Sequence, residues 1–302
     1  MLPQLFLDRM KQMLEKEYPA FLNSYEDARY QALRINPSKT DTDRFTEETS
    51  FHLQSVPWEA NGFYYEKEDQ PGKHPYHEAG VYYIQEPSAM APAAYLDVQP
   101  GEKVLDLCAA PGGKSTQIAA AMQGKGLLIS NEIHPARAKI LSENMERMGV
   151  KNVMVTNESP QTLAGMFTEY FDRIMVDAPC SGEGMFRKNE QACEEWSPEN
   201  VQVCAARQQE ILACAATMLR PGGRMVYSTC TFAPEENEGT ISRFLEQHPQ
   251  FHIVPVKKYP GMADGVAAWT KHPAAEIGDT IRLFPHHLHG EGHFVAVLEK
   301  EG

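Results

Sequence analysis

Short aliphatic segments alternate with amphipathic segments from about residue 81 to the end of the chain. The aliphatic segments have the length and composition of buried strands, and the segments between them carry apolar residues at helical spacing. We predict strands at Val104–Leu107, Gly126–Ser130, Val153–Val155, Arg173–Val176, Arg224–Ser228 and Gly292–Leu298. We predict helices at Ser115–Met122, Pro135–Met148, Pro198–Leu219 and Pro234–His248. This alternation predicts an α/β fold with a doubly wound, mostly parallel sheet.

The first 75 residues have a different pattern. Residues 1–35 carry apolar side chains at helical spacing, namely Leu5, Met10, Met13, Leu14, Phe21 and Leu22. Leu33–Asn36 predicts a short strand that Pro37 ends, and residues 38–60 predict a helix and a short strand around Phe51–Leu53. Residues 61–80 are rich in glycine, proline, histidine and glutamate, which predicts a loop. We therefore expect a small α+β N-terminal domain in residues 1–75 and a larger α/β domain in residues 76–302.

Composition and charge limit the possible partners. No apolar run approaches the roughly 18 residues that a membrane-spanning helix needs. The six cysteines form no CxxC pair, so we expect reduced thiols and a cytoplasmic protein. The net charge of −13 is unusual for a protein that binds nucleic acid, because phosphate contacts normally supply much of that affinity. A nucleic-acid ligand would have to be held by a small basic cluster or by shape.

A glycine-containing loop joins the first predicted strand of the larger domain to a helix. It spans Asp106–Thr116, and Gly112 and Gly113 allow close backbone approach to a ligand. We expect Ser115 or Thr116 to cap the helix that follows. The loop lacks both the GxGxxG pattern of dinucleotide-binding proteins and the GxxxxGKS pattern of phosphate loops. The loop therefore predicts a nucleotide-like cofactor without a pyrophosphate group.

Acidic and polar residues follow the next two strands. Glu132 comes directly after the second strand, where a carboxylate can bind both hydroxyls of a ribose. With no pyrophosphate pattern, S-adenosylmethionine fits this arrangement better than NAD does. Asn157, Glu158 and Ser159 follow the third strand, where the adenine edge would lie, and the sequence leaves open which of them contacts it.

Two cysteines stand directly after two predicted buried strands. Cys180 follows Asp177 in one loop, and Cys230 lies in the other. An ordinary methyltransferase needs no thiol at either place. Carbon 5 of cytosine, however, is a poor nucleophile until a thiolate adds to carbon 6, and this is covalent catalysis. Asp177 has the chemistry to interact with ring nitrogen 3 of such an adduct, and Cys180 is available as a second acid or base.

The remaining cysteines have a simpler interpretation. Buried cysteine usually acts as a small hydrophobic residue. We expect a packing role for the cysteines in or near helices and for the one in the cofactor loop, which are Cys193, Cys204, Cys214 and Cys108.

Three motifs in this order resemble those of the RNA 5-methylcytosine methyltransferases of the Nol1/Nop2/Sun family. They are Asp106–Lys114, Asp177–Gly182 and Ser228–Thr231, and the resemblance covers roughly residues 80–300. Gly182–Lys188 and Leu33–Asn36 are most similar to the bacterial RsmF/YebU-like branch, which acts on small-subunit ribosomal RNA. Members of that branch usually continue into a PUA-like RNA-binding domain.

The resemblance implies roles for particular residues. It implies a Rossmann-like methyltransferase fold in which Cys230 is the nucleophile, Cys180 assists product release and Asp177 contacts both cofactor and base. It also implies that S-adenosylmethionine is bound by Glu132 and by the loop residues Cys108, Ala109, Ala110, Pro111, Gly112, Gly113 and Lys114. We add Asn157 as a cofactor contact.

The resemblance also implies a ribosomal RNA partner, with the N-terminal domain positioning the substrate. Arg187 and Lys188 form the best basic pair near the site, and we predict that they bind RNA phosphates. Two other functions are weighed: an RNA-binding assembly factor with vestigial cofactor binding, and a small-molecule methyltransferase, which would leave both thiols idle. We expect a monomer.

Four histidines lie close together near the end of the chain. They are His286, His287, His289 and His293. Their spacing matches no zinc pattern, so we interpret them as part of a loop that leads into the last strand, and we expect no metal.

Overall fold

The computed structural model describes residues 1–302 and confirms the α/β prediction. The helices are α1 Gln4–Leu14, α2 Tyr18–Asn23, α3 Thr42–Glu48, α4 Pro75–Glu78, α5 Ala91–Leu96, α6 Gly113–Met122, α7 Pro135–Arg147, α8 Pro160–Met166, α9 Glu190–Glu195, α10 Pro198–Met218 and α11 Glu238–Gln247. The strands are β1 Gln31–Ile35, β2 Gln54–Ser55, β3 Gly62–Tyr65, β4 Tyr82–Ile84, β5 Lys103–Asp106, β6 Leu127–Asn131, β7 Val153–Thr156, β8 Phe171–Asp177, β9 Leu219–Thr229, β10 Phe251–Ile253, β11 Ala263–Asp264, β12 Ile281–Leu283 and β13 His293–Lys300.

The large sheet has nine strands. Eight follow the order β11-β12-β13-β9-β8-β5-β6-β7, and β10 pairs with β13. Strands β7, β6, β5, β8 and β9 are parallel, whereas β13 runs antiparallel to β9 with Phe294 opposite Thr229. The carboxyl ends of the parallel strands therefore meet at one edge, which is where ligands bind in doubly wound sheets. All six strands predicted for the larger domain are present, with ends shifted by a few residues.

Alternating side chains of the strands pack into two hydrophobic layers. In β5, Val104 faces the layer formed with α5, α6 and α7, and Leu105 faces the layer formed with α8, α10 and α11. In β9, Val226 and Tyr227 divide between the layers in the same way. Side chains alternate along a strand, so helices on both faces leave a strand little polar surface. The amino-acid sequences of these strands are consequently nearly continuous runs of aliphatic residues.

A second, four-stranded antiparallel sheet has the order β2-β3-β1-β4. Its strand β3 lies within residues 61–80, so the prediction of a loop there was wrong. That prediction relied on the glycine and proline content and neglected the aromatic run Phe63-Tyr64-Tyr65, which favours a strand and pairs with β1. Strand β4 pairs with β1 as well. The two-domain division with a boundary near residue 75 stays a prediction, and β4, which follows that residue, belongs to the small sheet.

The N-terminal helices pack on the part of the chain that forms the large sheet, not on the small sheet. Their buried side chains are Phe6, Met10, Leu14 and Phe21. These join a cluster with Phe186, Trp196, Phe232 and Phe284, which belong to loops at the site edge of the large sheet. Leu5, which we placed on the buried face of the first helix, is 60% exposed. No helix combines the length and the hydrophobicity that crossing a membrane requires.

Candidate active site

A cleft of about 740 Å³ opens at the carboxyl ends of the parallel strands. Its lining includes Cys108, Glu132, Asp177, Cys180 and Cys230, each from a loop that follows β5, β6, β8 or β9. The volume lies within the range of small-molecule sites in proteins. The structure therefore brings the ribose-binding candidate and both candidate thiols into one cavity.

The two thiols are in direct contact. The Sγ atoms of Cys180 and Cys230 lie 3.3 Å apart, within hydrogen-bond distance, although 50 residues separate them in the sequence. The hydrogen bond with Cys230, together with burial, raises the pKa of Cys180 well above its usual value. Cys180 is therefore a protonated thiol at neutral pH and can donate a proton. Both cysteines are half-buried and free.

A buried ion pair lies beside the thiols. Lys114 Nζ is 2.8 Å from Asp177 Oδ2, and the hydroxyl of Ser228 donates to Asp177 Oδ1 at 2.8 Å. Burial alone would raise the pKa of the Asp177 carboxyl, but the charge of Lys114 and these hydrogen bonds hold it below its usual value. Asp177 is therefore ionised and acts as a hydrogen-bond acceptor, and its predicted contact with ring nitrogen 3 stays a prediction.

Side chains from outside the cofactor loop hold its backbone. Arg34 of β1 donates to the carbonyl of Gly113 at 2.8 Å, and Asn144 donates to the carbonyl of Pro111 at 2.8 Å. Gly112 has φ +120°, which disfavours a side chain, and this fits its place in the tight strand-to-helix turn. The loop is thus held at several of its carbonyl groups.

Two expectations about this loop are resolved by its hydrogen bonds. Neither Ser115 nor Thr116 caps α6, because the Ser115 hydroxyl donates to buried Asp106 and Thr116 donates to the Gly112 carbonyl. Cys108 packs against the hydrophobic layer, and burial raises its pKa well above the usual value. Cys193, Cys204 and Cys214 lie outside the cleft lining, as expected for packing residues.

The residue predicted to bind the ribose lines the cleft, whereas the residues predicted to lie near the adenine do not. Glu132 is 3% exposed, and its carboxylate accepts a hydrogen bond from the backbone N–H of His134 at 3.1 Å. The amide of Asn157 donates to the Glu132 carbonyl at 2.7 Å, so its hydrogen bonds go to the loop backbone. Pro160 and Gln161 line the cleft, whereas Asn157, Glu158 and Ser159 do not. The cofactor contact of Asn157 stays a prediction.

The two residues of the predicted basic pair, Arg187 and Lys188, have different environments. The side chain of Arg187 is 8% exposed, donates to the Asp27 carbonyl at 2.7 Å and lies 3.5 Å from the Glu291 carboxylate. Its charge is used within the protein, so the prediction that Arg187 binds phosphate was wrong. Lys188 is exposed, and its contact with RNA stays a prediction.

Two neighbouring residues, Glu236 and Asn237, hold the loops of the two thiols and were not predicted from the sequence. Glu236 accepts hydrogen bonds from the backbone and hydroxyl of Ser181, which follows Cys180. Asn237 accepts from the hydroxyl of Thr229 at 2.6 Å and donates to the Thr231 carbonyl at 2.9 Å, which fixes both neighbours of Cys230. The sequence signal is the polar run 235–237 just before α11, which we had included in the helix.

Gly184 sets the spacing behind Cys230. Its N–H donates to the Cys230 carbonyl at 2.7 Å, and an added Cβ would lie 2.6 Å from that oxygen. Such a contact is shorter than carbon and oxygen tolerate, so only glycine lets the loop after β8 approach the loop after β9 this closely.

His293 belongs to β13, inside the strand predicted at Gly292–Leu298, and is buried beside the site. Its Nδ1 lies 3.3 Å from the hydroxyl of Ser88, which in turn hydrogen-bonds to the Glu86 carboxylate. Burial and the nearby charge of Lys114 lower the pKa of His293 to about 4, so the ring is neutral. A neutral imidazole adds no further positive charge next to the Lys114–Asp177 pair.

Comparison with known protein families covers nearly the whole chain. Residues 93–299 match the family model described as 16S rRNA methyltransferase RsmB/F. Residues 2–87 match the model described as the N-terminal domain of 16S rRNA methyltransferase RsmF. The first match alone includes more than half of the 302 residues.

Individual relatives agree with this match. The chain is 37% identical to ribosomal RNA small subunit methyltransferase F of Vibrio vulnificus, over 99% of this chain and 64% of the relative. It is also 37% identical to the protein of that name from Cronobacter sakazakii, over 99% of this chain and 63% of the relative. A methyltransferase homolog from Pyrococcus horikoshii is similar in structure, with TM-score 0.86, 29% identity and coverage of 99% of this chain and 95% of that one. The chain thus spans about 64% of the length of the curated relatives that it matches.

Proposed function

The chain belongs to the 16S rRNA methyltransferase RsmB/F family, and on that basis we propose that it methylates carbon 5 of a cytidine in small-subunit ribosomal RNA, with S-adenosylmethionine as the methyl donor. The observation that carries the proposal is the contact between Cys180 and Cys230 in a cleft that is also lined by Asp177, the partner of Lys114. A small-molecule methyltransferase has no use for two thiols in this position. The pair instead matches a reaction that forms and then breaks a bond to a base.

The residues at one part of the cleft fit S-adenosylmethionine. A buried carboxylate without a strong cation partner, Glu132, is available for ribose hydroxyls, since the nearest Arg137 nitrogen lies 3.8 Å away. The held loop after β5 provides a fixed backbone surface, and its glycine Gly112 leaves room for close approach. When bound, S-adenosylmethionine supplies an electrophilic methyl group.

Cys230 acts as the nucleophile in this proposal. The Sγ of Cys230 lies in the cleft next to Cys180 and reacts as the thiolate, which is the nucleophilic form of a cysteine. The thiolate adds to carbon 6 of the cytosine, which makes carbon 5 electron-rich. After methylation, carbon 5 gives its proton to a water molecule in the cleft, the electrons of that bond form the carbon 5–carbon 6 double bond, and the Cys230 sulfur leaves carbon 6 with the electron pair of the C–S bond, which restores the aromatic ring.

Cys180 and the ion pair have separate roles. Cys180 is protonated and contacts the nucleophile, so it can return a proton to the departing Cys230 sulfur. Asp177 is ionised and can accept a hydrogen bond from the exocyclic amine of cytosine, which uracil lacks. Lys114 is the proton donor of the pair and can stabilise negative charge that develops on the ring.

Family membership, and not the charge of the protein, is the basis for proposing an RNA partner. The net charge is −13, and of the predicted basic pair only Lys188 is exposed. We propose that shape and a few local cations position the RNA between the small sheet and the thiol cleft. The cytoplasmic location and the monomeric state stay predictions.

Methylation mapping tests the proposed function. Bisulfite sequencing of 16S ribosomal RNA from cells with and without the gene should show one or more cytidines that lose 5-methylation. Purified protein should then restore the mark on small subunits from the deletion strain. Tight RNA binding without methyl transfer would instead favour an assembly factor.

Replacing Glu132 by glutamine should weaken S-adenosylmethionine binding on the order of 10- to 100-fold, because charge-assisted hydrogen bonds to the ribose are lost. Isothermal titration calorimetry measures this directly. Glu158→Gln is the matched control, since Glu158 is exposed and lies outside the cleft lining. Equal affinity of the two variants would remove Glu132 from the cofactor site.

Replacing Glu236 by glutamine should lower the methylation rate on the order of tenfold or more. A glutamine amide places an N–H₂ group against the donors of Ser181, and an unpaired buried donor costs about 1–3 kcal/mol. The Cys180 loop should therefore shift. Steady-state kinetics is the measurement, and Glu235→Gln is the control because the Glu235 side chain makes no hydrogen bond. Unchanged kinetics in Glu236→Gln would show that the Cys180 loop does not depend on this carboxylate.

A further inference from the structure

Three potential metal ligands meet on the side of the protein formed by the N-terminal helices. Glu17 ends the short 3-10 helix Glu15–Glu17 after α1, and His286 and His287 lie in the connection between β12 and β13. Their ligand atoms lie within 4.8 Å of one another. The histidine spacing alone matched no zinc pattern because the third ligand comes from the other end of the chain.

His286 is the unusual member of this cluster. Its side chain is 4% exposed, yet neither ring nitrogen has a hydrogen-bond partner. The ring packs near Phe21 and Phe284, and its Nε2 faces Glu17 Oε2 at 3.7 Å, which is too far for a hydrogen bond. Buried polar groups normally have hydrogen-bond partners. The unpaired imidazole of His286 therefore indicates that a partner is missing on the side that faces Glu17.

We propose that Glu17, His286 and His287 bind a divalent transition-metal ion, with zinc as the best match. Two imidazole nitrogens and one carboxylate form a three-ligand set of a type that zinc accepts, with water in the fourth position. Magnesium and calcium prefer oxygen ligands and fit poorly.

The geometry requires only a small adjustment. Tetrahedral zinc at about 2.0–2.1 Å from nitrogen places its ligands about 3.3 Å apart. Glu17 Oε1 lies 2.8 Å from His287 Nε2, and the Glu17 side chain is 53% exposed and free to shift.

A bound ion would join two distant parts of the protein. It would connect the N-terminal helices to the segment that leads into β13. The first residue of β13 is His293, which lies beside the thiol site. The proposal does not depend on the methyl-transfer function, because its test uses binding and stability alone.

Zinc titration of the metal-free protein tests this site. The Cys180–Cys230 pair could itself bind zinc, so the titration uses a Cys180→Ser/Cys230→Ser background beside the unmodified protein. We expect one zinc per chain by calorimetry and a rise in Tm of about 3–6 °C at 100 times Kd. Magnesium at the same concentration should leave Tm unchanged.

Two substitutions in that background decide between this site and nonspecific binding. Glu17→Gln alters an exposed residue and should weaken zinc binding at least about tenfold, whereas His272→Asn, at an exposed histidine outside the cluster, should leave it unchanged. Tetrahedral cobalt(II) absorption should appear in the background protein and disappear in Glu17→Gln. Absence of 1:1 binding, or equal zinc affinity in both variants, would overturn the proposal.

Discussion

Replacing Cys230 by alanine should abolish methyl transfer, with a fall in kcat on the order of 10⁴-fold or more. The thiolate supplies the bond to carbon 6 that makes carbon 5 reactive, and the neighbouring thiol of Cys180 is protonated and acts as the proton donor in this account. Transfer of tritiated methyl groups from S-adenosylmethionine to deletion-strain small subunits measures the loss. The affinity for S-adenosylmethionine should change little, because Cys230 is absent from the proposed cofactor contacts.

Cys214→Ala is the matched control for this experiment. Cys214 is half-buried in α10 and packs against a hydrophobic layer outside the cleft. This variant should retain nearly full activity. A Cys230→Ala protein with substantial activity would remove covalent catalysis by Cys230 from the mechanism.

Replacing Cys180 by alanine should give a different defect, in which the covalent protein–RNA adduct accumulates. Cys180 is the proton donor in contact with the Cys230 sulfur, and the loss of a general acid typically costs about 10²- to 10⁴-fold in rate. Addition to carbon 6 should continue, whereas release of the product should slow. Denaturing gel electrophoresis with labelled RNA and S-adenosylmethionine should show a retarded band that nuclease removes.

The comparison variant for the adduct is Cys180→Ala/Cys230→Ala. It should form no retarded band, because the nucleophile is gone while the loop change at Cys180 is retained. A trapped adduct in Cys230→Ala, with none in Cys180→Ala, would mean that the two thiols have exchanged roles.

The pattern of the sequence predicted the catalytic sheet well, for a physical reason. Parallel strands covered on both faces must be almost wholly aliphatic, so β5, β6 and β8 stand out against polar loops. Because parallel strands end at one edge, residues after each strand could be expected to meet. Glu132, Cys180 and Cys230 do line one cleft, as that argument required.

The supporting residues could not be predicted in the same way. Glu236 and Asn237 hold the two thiol loops through individual hydrogen bonds to backbone and hydroxyl groups. Such contacts leave no periodic pattern in the amino-acid sequence. Their polar character was visible, but a capping or solvent-exposed role accounts for it equally well in the sequence. Only the fold shows that both side chains are fully buried.

Charge was the least predictable property of the site. Arg187 follows the first thiol motif in a position that favours RNA, yet the fold brings Glu291 and the backbone of Asp27 against it. The pairing of Asp177 with Lys114 was not predicted either, and the contact of Asp177 with ring nitrogen 3 stays a prediction. Both pairings depend on contacts between residues distant in the sequence.

The most direct test identifies which sulfur bonds to the base. RNA that carries 5-fluorocytidine at the target position cannot lose its carbon 5 substituent as a proton, so the unmodified protein should remain attached to it. After nuclease and protease digestion, tandem mass spectrometry locates the nucleotide on a peptide. Our account predicts the nucleotide on Cys230. A nucleotide on Cys180, or no covalent adduct despite methylation of ordinary RNA, would contradict it.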